Sequence, residues 1–215
     1  MRKKIKIISI SAKIRVISVL LFLVVVAGCG KNYSPEQKAY ISKIEEQRAE
    51  KNEWMKNNPN SPFNFKGKVE FHELKYFDVD PDFIFKSKLY EYDSKDTVII
   101  FGTKGEERKT VKFGYIKFVY EGKEYTINVY QGSARSGEVY YSIWFTDHTT
   151  NKESYGVGRY IDFEKQIDPD HIYEIDFNLA YNPYCAYSPD YSCAIPTKDD
   201  FLDVAVRAGE QKFHD

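Results

Sequence analysis

Four patterns of apolar and polar positions follow one another along the chain. Residues 1–15 carry Arg2, Lys3, Lys4, Lys6, Lys13 and Arg15 with no carboxylate, and an apolar run from Val16 to Ala27 follows, broken only by Ser18. The run is short of the ~20 residues that a membrane-spanning helix needs. Next, Ser34-Pro35-Glu36-Gln37 combines a Ser N-cap, a Pro at the first helical position and a Gln three residues after the Ser, which together predict a helix start. The helix is expected over 34–58, ended by Asn58-Pro59, with a thin apolar stripe of Tyr40, Ile41, Ile44, Trp54 and Met55 that makes it an amphipathic arm across the domain.

From Phe71 the period shifts to two. Strands are predicted at Phe83–Tyr90, Thr97–Phe101, Val111–Tyr120 and Glu124–Tyr130, with Glu121-Gly122-Lys123 as a tight hairpin connection between the last two. Further strands are expected at Val139–Phe145, Ile172–Phe177 and Asp203–Arg207. Short strands with turn signals at close intervals predict a mainly β fold, an antiparallel β-sandwich or partly closed barrel with one N-terminal amphipathic helix. Residues 59–215 are expected to form its single β-rich domain. The 18 Tyr and 15 Phe reinforce this reading, because aromatic side chains suit a pleated, half-buried surface.

The run at 16–27 ends in Val26-Ala27-Gly28-Cys29, which resembles the lipobox of bacterial lipoproteins. The resemblance implies a signal peptide over 1–28, a diacylglycerol on the Cys29 sulfur, and an acylated tether over 29–33. Attachment to a bacterial membrane would then run through lipid, with acyl chains supplying roughly 0.8 kcal/mol per buried methylene. Gly30 does not resemble an inner-membrane retention signal, so the expected address is the cell envelope, at the outer membrane or cell surface. Six of the 31 cations precede Cys29, which leaves 25 against 32 carboxylates and a formal charge of −7 on the exported part. A net acidic domain without a basic stripe argues against nucleic acid as a partner.

Polar residues become dense between Trp144 and Glu210 while aromatics persist. Phe145-x-Asp147, Thr149, Tyr155-x-x-Gly158-Arg159-Tyr160, Asp176-Phe177-Asn178-x-Ala180-Tyr181-Asn182-Pro183-x-Cys185, Cys193 and Ala208-Gly209-Glu210 occur in order. This series resembles the signature of domain of unknown function family 1684, loosely over the mature chain and in detail over 145–210. Tyr184 and Ala194 stand where the family usually carries Pro. The resemblance implies no established activity, and it singles out Arg159, Tyr160, Asp176, Asn178, Tyr181, Asn182 and Glu210 as candidate ligand-binding residues. Asp147, His148 and Tyr155 join them from the motif region.

Cys185 and Cys193 lie eight apart. In an exported domain they are read as a disulfide closing a short loop, with a stabilisation of roughly 2 to 3 kcal/mol. A free-thiol pair and a metal site with His148 or His171 are the alternatives, and the metal site is disfavoured by spacing. Gly156-Val157-Gly158 before Arg159 suits either capture of an anion or an internal pair of Arg159 with Asp147 or Asp176. No Gly-x-Ser-x-Gly elbow, His-Glu-x-x-His, phosphate-cradling loop or dinucleotide fingerprint occurs, so neither cofactor nor metal is expected. The expected function is a lipid-anchored binding module for a small polar or anionic ligand or a partner protein, through loops 145–193. The alternative is an envelope hydrolase using Asp147, His148 or Glu210 with Arg159 as an electrostatic clamp.

Overall fold

The computed structural model describes residues 31–65, 69–134 and 136–214. The leader and Cys29 lie outside the described residues. The chain divides into a unit over Met1–Ser34, of which residues 31–34 are described and carry no regular secondary structure, and a unit over Pro35–Asp215 that holds every helix and strand considered below.

Helix α1 (Pro35–Asn57) covers the predicted range. Its inward stripe differs from the predicted one. Only Ile44 and Met55 are fully buried, and the rest of the inner face is polar. The Tyr40 hydroxyl donates to Asp176 Oδ2 at 2.7 Å, Arg48 Nη1 donates to the Phe77 carbonyl at 2.9 Å, and Lys51 Nζ lies 2.7 Å from Glu210 Oε1. Leu74 N donates to Asn52 Oδ1 at 2.9 Å. Positions 40, 44, 48, 51, 52 and 55 recur at the i, i+3, i+4 spacing of one helical face. The helix is thus fastened by hydrogen bonds and ion pairs more than by apolar area, and a purely apolar reading of its pattern leaves it looking thin. Among the described residues no helix is long and apolar enough to cross a membrane.

Among the described residues nine strands follow: β1 (Ile84–Ser87), β2 (Tyr90–Glu91), β3 (Thr97–Phe101), β4 (Glu107–Tyr120), β5 (Lys123–Ser133), β6 (Val139–Asp147), β7 (Arg159–Phe163), β8 (Tyr173–Asp176) and β9 (Phe201–Leu202). The large sheet runs β2-β4-β5-β6-β7, with β3 also on β4 and β9 on β6, while β1 and β8 form a separate antiparallel pair. All pairings are antiparallel except β6 with β9. The fold is mainly β and sandwich-like, and its sheets do not close into a barrel. The β4–β5 hairpin turns through Glu121 and Gly122, both at positive φ (48° and 77°), the two-residue primed turn whose twist matches the flanking strands.

Alternation along the strands builds the core. Ile116 and Phe118 of β4, Ile127 and Val129 of β5, Ile143 and Phe145 of β6, and Ile161 and Phe163 of β7 point to one face. The β1–β8 pair covers that face with Tyr173 and Ile175, helped by Phe83 and Phe177. Each such side chain contributes about 1.5–3 kcal/mol by leaving water. The intervening residues face the other way, where Ile100, Tyr130, Trp144 and Ala194 form a smaller cluster.

Two predicted strands change, and one strand was not predicted. Phe83–Tyr90 is not continuous: Pro81–Phe83 is a 3-10 turn capped by Asp80, and the chain breaks after Ser87 so that β1 and β2 join different sheets. The Ser87 hydroxyl, which donates to the Lys88 carbonyl and accepts from Lys117 N, occupies that break. Asp203–Arg207 is not a strand, and its backbone is held by side chains instead. Arg159–Phe163, in the loop region expected over 145–193, is the strand β7.

Candidate functional site

Asp147 ends β6 and Arg159 begins β7, and Phe145 and Arg159 are register partners. Gly158 makes the entry possible. Its φ is +106°, and a Cβ there would sit 2.5 Å from the Phe145 carbonyl oxygen, so only glycine lets the chain turn this close to β6. Arg159 is 1% exposed. Its Nη2 donates to Asp147 Oδ2 at 2.7 Å and to the Val206 carbonyl at 2.7 Å. Nη1 donates to the Ala208 carbonyl and, at 3.3 Å, to that of Glu210. Phe145 and Phe77 rings lie 5.2 and 5.6 Å from its guanidinium carbon. Burial pulls the guanidinium below its ordinary value while Asp147 opposes the shift, and arginine stays charged in either case. Residues 203–208 contain no strand, so their carbonyls need other donors, and Arg159 supplies those for Val206 and Ala208. Of the two internal partners expected for it, the structure selects Asp147; Asp176 belongs to a different network.

Glu210 extends the same fastening. It is 1% exposed, Oε2 accepts from Asn182 N at 2.8 Å and from the Tyr187 hydroxyl, and Oε1 faces Lys51 of α1. Asn182 Nδ2 donates to the Gln211 carbonyl at 2.7 Å. Asp176 caps a 3-10 turn by accepting from Asn178 N at 2.9 Å, and the Asn178 amide group grips both backbone groups of Asp80 at 2.8 Å. These six candidates, Arg159 with Asp147, Glu210 with Asn182, and Asp176 with Asn178, satisfy buried backbone in three places. His148 is apart from all of them. Adjacent to Asp147 in the chain, it points outward, its side chain is 49% exposed, and its Nε2 lies 2.9 Å from Asp203 Oδ1. The clamp required by a hydrolase reading, Arg159 facing a carboxylate or histidine across an open pocket, is enclosed.

An open space lies on the opposite face of the same strands. A cleft of about 1010 Å³ has Tyr140, Ser142 and Trp144 of β6 and Tyr160 and Asp162 of β7 along its floor. Tyr160 is register partner of Trp144, and Asp162 of Ser142, so the floor is a two-by-two patch of sheet. One wall is Lys51, Trp54 and Met55 of α1; the other is built from Tyr181, Pro183, Tyr184 and Tyr191–Ala194, with Arg108 of β4 also in the lining. Trp144 stacks on Tyr130 at 4.7 Å and tilts against Tyr160 at 5.7 Å. The Tyr160 hydroxyl donates to the Ala194 carbonyl, and that of Tyr181 to Asp162 Oδ1 at 2.6 Å. Burial raises both phenols, so they remain protonated donors around neutrality. Lys51 stands 5.0 Å over the Tyr181 ring, and Arg108 donates to the Ser192 carbonyl. Of the ten candidate ligand-binding residues, Tyr160 and Tyr181 line this cleft. Lys51, Trp54, Arg108 and Trp144 were missed. Trp54 and Met55 were visible as part of the helix stripe, and Lys51, three to four positions before them, shares their face; nothing local marked Arg108.

Cys185 and Cys193 are free thiols, not a closed disulfide. They are nonetheless together, with Cys185 N donating to Cys193 Sγ at 3.2 Å, and the Tyr155 hydroxyl lies 3.7 Å from Cys185 Sγ. Among the described residues no group of three or more His, Cys, Asp or Glu side chains is arranged to hold a metal ion.

The site and fold define a sandwich-like β domain with an enclosed charged clamp on one face of a sheet and an open aromatic cleft on the other. The model of a family described as "Protein of unknown function (DUF1684)" matches residues 69–211, and the chain belongs to that family. The solution NMR structure of an uncharacterized protein from gene locus rrnAC0354 of Haloarcula marismortui is similar, with 26% identity, a TM-score of 0.60, and coverage of 82% of this chain and 96% of that one. No curated protein matches.

Proposed function

We propose that the protein is a binding module of the bacterial cell envelope, anchored by lipid on Cys29 at the outer membrane or cell surface, whose aromatic cleft takes a small ligand with a flat apolar face and polar or anionic groups. The observation that carries this reading is the cleft itself. Its volume of about 1010 Å³ is at the upper end of those that enclose small ligands, and its lining of aromatic faces with a few converging polar groups is the usual make-up of such sites. Trp54, Tyr140, Tyr184 and Tyr191 offer ring faces for stacking. Lys51, Arg108 and Lys165 set cations among them, against Asp162 and Glu164. The buried Asp147–Arg159 pair is bonded to protein groups through Nη1 and Nη2 and lines no part of the cleft.

Both tryptophans of the chain, Trp54 and Trp144, line the cleft, so intrinsic fluorescence reads it directly. The full-length protein in detergent is titrated with a panel of carboxylated and sulfated oligosaccharides and aryl phosphates. At least one member is expected to give a saturable change that Tyr140→Ala weakens about fivefold to tenfold, the equivalent of one aromatic contact of about 1 kcal/mol. A flat response to the whole panel refutes the ligand class. Separately, Cys29→Ser is expected to abolish fatty-acid labelling and release the protein from membranes, and retained label refutes the anchor.

A further inference from the structure

The thiol pair is unused by the cleft reading, and its surroundings are specific. Cys185 sits in the 3-10 turn Tyr184–Ala186, half-buried. Cys193 is buried beside it and forms part of the cleft wall. The strand-like segment that carries Cys193 is pinned to the β3–β4 turn: Thr103 N donates to the Cys193 carbonyl at 3.0 Å, Cys193 N to Thr103 Oγ1 at 3.2 Å, and Ile195 N to the Phe101 carbonyl at 2.9 Å. Cys185 is held from the other side, since the Tyr155 hydroxyl is within reach of both its carbonyl oxygen (3.3 Å) and its sulfur (3.7 Å). Two sulfurs brought together from separate, anchored pieces of backbone, in different hydrogen-bonding environments, are not equivalent. Groups that donate converge on Cys185; the backbone N–H of Cys185 points at Cys193.

We propose that Cys185 and Cys193 form a thiol–disulfide exchange site at the rim of the cleft, with Cys185 as the attacking sulfur, Cys193 as the resolving one, and a low-molecular-weight disulfide as co-substrate. In the first step the Cys185 thiolate forms a bond to one sulfur of the co-substrate and breaks its S–S bond, giving a mixed disulfide and one thiolate, which takes up a proton. In the second, Cys193 loses its proton to solvent and attacks the Cys185 sulfur, which closes the Cys185–Cys193 disulfide and expels the second thiolate, protonated in turn. Two protein thiols are oxidised, one disulfide is reduced to two thiols, and protons balance.

The division of labour agrees with the electrostatics. Hydrogen bonds from Cys193 first, then Tyr155 and Thr103, outweigh burial and pull the Cys185 thiol down to about 6, whereas its partnership with Cys185 and burial push Cys193 up. The titratable groups around the pair are Tyr155, Tyr160, Arg108 and Glu106. Both phenols are raised and so neutral; the Arg108 guanidinium, which acts on Cys193, is ion-paired with Glu106 at 2.6 Å, and that carboxylate accepts from the Ser192 hydroxyl. A sulfur that is ionised at neutral pH attacks faster than an ordinary thiol, although lower basicity takes back part of the gain.

The test uses the reduced full-length protein in detergent, exposed to oxidised glutathione and followed by non-reducing intact mass and peptide mapping. The expected sequence is a transient glutathione adduct on Cys185 alone, then an adduct-free protein two hydrogens lighter. Cys193→Ser is expected to trap the adduct on Cys185, and Cys185→Ser to react at least about tenfold more slowly at pH 7. The wild-type protein, whose folding is not in question, supplies an independent reading: alkylation of Cys185 by iodoacetamide should show a midpoint near pH 6, moved upward in Tyr155→Phe. Adduct formation first on Cys193, an alkylation midpoint near the ordinary thiol value, absence of oxidation across the glutathione series, or a native-only metal mass on the pair each overturns the proposal.

Discussion

On the core face of β6 and β7, Asp147 and Arg159 are enclosed and bonded to protein groups, whereas on the outer face of the same strands Trp144, Tyr160 and Asp162 stand around an open cleft. The two regions are one residue apart in sequence. Their difference teaches that a motif running through a strand distributes its residues to two jobs by parity alone: odd positions 159, 161 and 163 go inward, even positions 160 and 162 go outward. Within Gly158-Arg159-Tyr160, the residue with the most reactive-looking side chain does the bracing and its neutral neighbour faces the cleft. A polar side chain next to a site is therefore a poor guide until the strand phase is known.

The sharpest way to break that comparison is Arg159→Ala. If Arg159 braces, removal leaves the Asp147 carboxylate and the Val206 and Ala208 carbonyls buried without their donor, and stability should fall by about 3–5 kcal/mol in urea denaturation. Arg159→Lys should not restore it, because one ammonium cannot span a carboxylate and two backbone carbonyls as the planar fork does. A variant of normal stability that has lost ligand response would reverse the roles assigned to the two faces. Glu210→Gln is expected to act in the same direction and less strongly, by about 1–3 kcal/mol, since hydrogen bonds to Asn182 N and Tyr187 can partly persist while the Lys51 ion pair is lost. Because Lys51 also lines the cleft, this variant should additionally alter tryptophan fluorescence, unlike Arg159→Lys. The smallest effect belongs to His148→Ala. Its contact with Asp203 is exposed, and Asp203 keeps Lys123 at 2.5 Å, so the denaturation midpoint and the ligand titration should both stay where they are. A change in the titration would bring His148 back into the site.

The β character of the domain was legible because Phe113–Tyr120 and Glu124–Tyr130 alternate plainly and a Gly marks their turn. The break after Ser87 was not, since it depends on a hydroxyl bonding to β4, a strand that follows about 20 residues later. The family was readable from spaced motifs, and so was the list of residues worth testing. What that list did not carry was which members share a space. Arg159 and Asp147 could be paired on paper with equal ease as a ligand clamp or an internal brace.

The sequence by itself determined the helix and the long strands β4, β5 and β6, the hairpin through Glu121-Gly122 and the family, because these rest on local periodicity, turn chemistry and motif order. The tertiary structure alone decided that α1 supplies Lys51 and Trp54 to a cleft floored by β6 and β7, that Arg159 holds a strandless segment 47 to 51 residues away, and that Cys185 and Cys193 meet as thiols. Those are contacts between distant parts of the chain. Their energies depend on burial and on which donors remain unanswered after the sheets have packed, and neither quantity exists until the fold is formed.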